Sequence, residues 1–90
     1  MGEVIALIRV MPTEILNDEQ MDELKRRIER KIKSPAKLTR IDIRDIAFGL
    51  RSLDVTVVVP DAEGGVDPIA EELAQMDGVE SAEVVDVGRI

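Results

Sequence analysis

The chain has 90 residues, a net charge of −7, no Cys, no His and one aromatic residue, Phe48. A single domain of this size buries about 60–65% of its unfolded surface, enough for one two-layer core but not for a deep substrate cavity. The missing Cys and His remove disulfides, thiolate metal sites and the commonest general base, and the negative balance argues against nucleic acid as a partner.

Val4 to Met11 reads as the first strand, with Val4, Ala6, Ile8 and Val10 on one face and Ile5, Leu7 and Met11 on the other. Apolar residues on both faces suit a central strand, and Pro12 ends it. Glu3 and Arg9 bracket only five apolar residues, so no secretory leader is read. No run approaches the ~18 apolar residues of a membrane span, so a cytoplasmic setting is expected. After a loop at 13–17, Asn17 and Gln20 have the spacing of a capping box. The helix they open extends to about Lys33, with Met21, Leu24, Ile28 and Ile32 as its apolar stripe. Asp22 with Arg26, Glu23 with Arg27 and Glu29 with Lys33 are favourable i,i+4 pairs. The basic run Lys25, Arg26, Arg27, Arg30, Lys31, Lys33 could bind an anion. Its interleaved acids and lack of aromatics favour a solvated helix face. Ser34-Pro35 stops the helix.

Lys37 to about Asp45 reads as an edge strand, Ile41 and Ile43 inward, Asp42 and Arg44 outward. Residues 45–50 follow as a connection. Leu53, Val55, Val57 and Val59 form the inward face of a third strand, Asp54 and Thr56 the outward face, and Pro60 ends it. Asp61-Ala62-Glu63-Gly64-Gly65 reads as a mobile turn without the spacing of a calcium loop. No Gly-x-x-x-x-Gly-Lys phosphate loop occurs anywhere. Asp67 is the expected cap of a second helix, with Pro68 at its first position, Ile69, Leu73 and Met76 as its stripe and Gly78 as its stop. Val79 to Val87 is the last strand, with Val85 and Val87 on one face.

The order β-α-β-β-α-β predicts an α+β, ferredoxin-like split βαβ over residues 1–90. Its four-stranded antiparallel sheet has order 4-1-3-2, with both helices on one face. Residues 45–50 then lie at one end of the sheet and the last residues at the other. Two residues stand out. Phe48 sits between Ala47 and Gly49, where it either caps the core or anchors a partner, as aromatic side chains do at binding hot spots. Arg89 is the one Lys or Arg among residues 54–90, against 10 Asp and Glu; residues 1–53 carry 11 against 9. It is either a solvated terminal side chain or a placed cation. A strand of about six residues spans ~20 Å, so both can act only on a large partner. A 34% charged content with three Asn and Gln is also a compositional sign of heat adaptation.

The run Ile46-Ala47-Phe48-Gly49-Leu50, followed by Leu53-Asp54-Val55 and Val58-Val59-Pro60-Asp61, resembles the guanine-nucleotide exchange domain of elongation factor 1-beta. The Asp61–Gly65 turn and the ending Val84-Val85-Asp86-Val87 look like its archaeal form. The resemblance covers the whole chain and implies an exchange factor, not an enzyme, with no cofactor or metal of its own and no covalent chemistry. The implied partner is GDP-bound elongation factor 1-alpha, with no direct nucleic acid and no membrane. It implies that Phe48, with Ile46, Ala47 and Gly49, meets the second domain of that GTPase. It implies that Arg89, next to Ile90, reaches the magnesium and phosphate site of the first domain and displaces the metal there. Eukaryotic members carry Lys at that position; Arg keeps the charge but replaces a point cation with a planar fork.

Two other readings share the element order. An ACT-type module binding an amino acid would favour glycines after the first strand, and residues 11–17 have none. An RNA-recognition domain fails on charge and on the lack of stacking rings in its strands.

Overall fold

The computed structural model describes residues 2–60 and 65–90. Its elements are β1 (Glu3–Pro12), α1 (Asp18–Lys31), β2 (Lys37–Ala47), β3 (Leu50–Pro60), α2 (Asp67–Ala74) and β4 (Val79–Arg89). They form an antiparallel sheet of order β2-β3-β1-β4, the expected 4-1-3-2 read from the other edge. The alternation in β1 and β3 decides which side is covered. Ala6, Ile8 and Val10 pair across from Val57, Val55 and Leu53, so all six point to one face, and all are buried. Met21, Leu24 and Ile28 of α1 and Ala70 and Leu73 of α2 pack onto them in one cluster. Full burial of each Val, Leu, Ile or Met among them contributes about 1.5–3 kcal/mol.

The capping box of α1 is formed: the Gln20 amide donates to Asn17 Oδ1 at 2.8 Å, and the Asn17 amide donates to Gln20 Oε1 at 2.9 Å. The helix stops at Lys31, two residues before the expected end, because Ile32 is already extended. Glu29 and Lys33 are therefore not one helical turn apart. Arg27 also departs from its expected i,i+4 role, donating instead to the Asp77 carbonyl at 2.8 Å and tying α1 to the turn before β4.

The second helix differs at both ends. Val66, without a side-chain bond, is its cap, and Asp67 is its first helical residue. There the carboxylate still complements the helix dipole. Helix α2 ends at Ala74; Gly78, at φ +86°, belongs to the turn opening β4. Val66 and Ala70 are buried beside the expected Leu73 and Met76. The last strand runs two residues further than Val87. A register shift between Leu7 and Ile8 leaves Val85 without a partner, so Val85 and Val87 do not follow simple alternation. Ile43 pairs with Leu53 on the helix side, as expected, but remains exposed because β2 is an edge strand. Of the expected 61–65 turn, residues 61–64 lie outside the described residues.

Candidate functional site at the two ends of the sheet

The 45–50 connection is tighter than its sequence suggests. Strand β2 continues to Ala47, which pairs with Leu50, so Phe48 and Gly49 alone make the turn. Both have positive φ, +52° and +83°, as a two-residue hairpin of the primed type requires. Gly49 adopts this without penalty. An L-residue with a side chain pays about 1–2 kcal/mol there, and a bulky aromatic is an unusual occupant. Phe48 is 99% exposed. The core-cap reading is thus excluded: the one ring of the chain stands in solvent on a strained turn, a combination that clusters at functional sites.

Two contacts fix the direction of this tip. Arg51, at the base of the hairpin, donates to Asp18 Oδ1 and to the Leu16 carbonyl, each at 2.8 Å. The loop ahead of α1 is thereby strapped to β3. Ile15, in that loop, lies against the turn: a Cβ on Gly49 would sit 3.8 Å from its Cδ1 and Cγ2.

Arg89 occupies the other end. It is the last residue of β4 and pairs with Val4, and the next amide, of Ile90, donates to the Glu3 carbonyl at 2.9 Å. The backbone is therefore held in a ladder while the side chain is exposed. From Val4, opposite Arg89, to Val10, opposite Leu53, is six residue steps, and Leu50 lies three beyond. At ~3.3 Å per step the two ends are roughly 30 Å apart, within a molecule 42 Å long. The structure thus brings Ile46, Ala47, Phe48 and Gly49 together and places Arg89 and Ile90 at the opposite end.

A buried charge on the open face of the sheet was missed by simple alternation. Asp54 does point away from the helices, but its side chain is only 5% exposed. Its carboxylate accepts from Arg9 Nε at 3.1 Å and Nη2 at 3.4 Å and from Ser52 Oγ at 3.3 Å, with Arg44 Nη1 3.6 Å away. The hydrogen bond to Asp54 raises the Arg9 guanidinium pKa above its ordinary value. The signal was present in the sequence: Arg9, Arg44 and Asp54 all fall on outward positions of three neighbouring strands. This cluster braces the sheet between the two ends. An open groove of about 710 Å³ lies between the helices, bordered by Arg27, Arg30, Lys31 and Lys33 on one side and Glu72 and Asp77 on the other. It includes none of the six residues singled out above.

Fold and geometry define a ferredoxin-like domain whose exposed chemistry is divided between its two ends. Residues 5–90 match the EF-1 guanine nucleotide exchange domain. Curated relatives described as elongation factor 1-beta are similar along their whole length. That of Natronomonas pharaonis is 43% identical over 90 residues, covering 100% of both chains. That of Methanothermobacter thermautotrophicus is 44% identical, covering 100% of this chain and 99% of the relative. The chain belongs to the elongation factor 1-beta family. The de novo designed protein Foldit4 has a similar fold, with TM-score 0.56, 19% identity and coverage of 98% of this chain and 96% of its own. Among the described residues no helix is long and apolar enough to cross a membrane.

Proposed function

We propose that residues 1–90 act as one exchange domain in the cytoplasm, promoting GDP release from the translation GTPase elongation factor 1-alpha so that GTP can reload. Phe48 docks on the second domain of the GTPase and Arg89 enters the magnesium and phosphate site of the first. The observation that carries this reading is the exposed Phe48 at one end of a braced sheet, with Arg89 held in a strand at the other. Two anchors roughly 30 Å apart fit a large partner that touches both, not a small ligand.

The action is binding, not covalent chemistry. A permanent guanidinium brought to the partner's metal site opposes the metal by like charge and by occupancy. Weakening the metal weakens GDP. The coupling is reciprocal, so GDP weakens the exchange factor by the same factor. A thousandfold acceleration corresponds to about 4 kcal/mol of lowered barrier. Release of a fluorescent GDP analogue from a cognate elongation factor 1-alpha tests the proposal: the wild type accelerates release and Arg89→Ala accelerates it far less. A wild type without effect overturns the function, and an unimpaired Arg89→Ala overturns the role of Arg89.

A further inference from the structure

Phe48 does not stand alone at its end. Ile15, 62% exposed, lies against Gly49, and Ile46, 45% exposed, precedes the turn by two residues. These three side chains come from two segments more than thirty residues apart. Exposed large apolar side chains scattered singly are normal on a surface; three gathered at one tip mark an interaction site. The loop that carries Ile15 is held there by the Arg51 bonds to Leu16 and Asp18, so the tip is preorganised.

The charges around this apolar tip are one-sided. Glu14 precedes Ile15, Asp45 precedes Ile46, and Asp18 is almost fully exposed at the start of α1. Of the two cations nearby, Arg51 is largely covered and already engaged by Asp18 and Leu16, and Arg44, next to Asp45, lies 3.6 Å from the Asp54 carboxylate on the open face. The rim is therefore net acidic.

We infer that Ile15 joins Phe48 and Ile46 in a composite docking surface, and that this surface takes an apolar cleft bordered by basic side chains on the GTPase. The inference rests on the exchange-factor reading and goes beyond it in two ways. It adds a residue from the loop before α1, which no motif of the hairpin includes, and it states the chemistry of the receiving cleft. Phe48 and Ile15 supply apolar contact, which sets how long the complex lasts. The acidic rim supplies attraction at a distance, which sets how fast it forms.

The test follows GDP release as a function of exchange-factor concentration, for the wild type, Ile15→Ser, Ile15→Leu and the double variant Glu14→Lys with Asp45→Lys. Ile15→Ser raises the half-saturating concentration about tenfold, within the range of an interface anchor, and leaves the maximal rate unchanged. Ile15→Leu restores the wild-type value. The double charge reversal slows association most at low ionic strength and diminishes the acceleration that low salt gives the wild type. Because Ile15 is exposed, its substitution leaves the unfolding midpoint in place, which separates lost docking from lost folding. Where the wild type is active, an unchanged half-saturating concentration for Ile15→Ser overturns the composite surface. An undiminished salt dependence in the double variant overturns the basic cleft. A wild type that does not accelerate release overturns the exchange-factor reading itself, and this surface with it.

Discussion

Arg51 and Asp18 close an ion pair at 2.8 Å across 33 residues of chain, joining the base of the β2–β3 hairpin to the first turn of α1. The same guanidinium donates to the Leu16 carbonyl. One side chain thus sets the angle at which Phe48 leaves the sheet relative to the helices. The strap is not a large source of stability, because Asp18 is exposed and an exposed pair is screened.

Removing the strap should therefore separate docking from folding. Arg51→Met is expected to lower stability by only about 1 kcal/mol, the worth of a typical hydrogen bond. It should raise the half-saturating concentration for nucleotide release while the maximal rate holds. Urea unfolding and release kinetics on the same preparation check both.

The positive φ of Phe48 yields a prediction in which stability and activity move in opposite directions. Asn tolerates the left-handed region better than Phe, and Asn-Gly is the preferred pair for this turn. Phe48→Asn is expected to stabilise the protein by about 1 kcal/mol, within the penalty for an L-residue at such a φ. The same substitution should weaken docking. Thermal unfolding and exchange titration would show a higher midpoint beside a poorer exchange factor. A loss of both would mean that the turn is not strained.

Much of the architecture was legible in the sequence. Apolar residues on both faces of β1, with right-handed crossovers in the order β-α-β-β-α-β, placed β1 and β3 at the centre, and Asn17 with Gln20 announced the start of α1. The hairpin was not legible, because Phe-Gly lacks the Asn or Asp that usually marks a two-residue turn. Exposure of Phe48 depends on register, with Ala47 opposite Leu50, and sequence pattern does not give register. Ile15 was passed over because a lone apolar residue in a loop carries no periodicity; only the fold sets it beside Gly49. The helix ends moved for local reasons: Ile32 turns extended, and Gly78 serves the next turn.

On the open face, the guanidinium facing the buried Asp54 should matter more than one in a solvent-exposed pair. Arg9→Met removes the closest cation from a carboxylate that is nearly out of water and is expected to lower the unfolding midpoint by several degrees. Arg40→Met breaks only the exposed pair with Asp42, at 2.8 Å, and is expected to leave the midpoint unchanged. Differential scanning calorimetry of the two variants compares them directly; equal effects would mean that burial of Asp54 has no energetic consequence.

The division of labour between the two ends is tested most directly by GDP release from elongation factor 1-alpha over a range of exchange-factor concentrations, with Phe48→Ala and Arg89→Ala measured in parallel. The two-point account predicts that Phe48→Ala needs a higher concentration to reach the wild-type maximal rate. It predicts that Arg89→Ala saturates near the wild-type concentration at a much lower maximal rate. If both variants lose the same parameter, or if Arg89→Ala reaches the wild-type maximum, docking and release are not divided between Phe48 and Arg89.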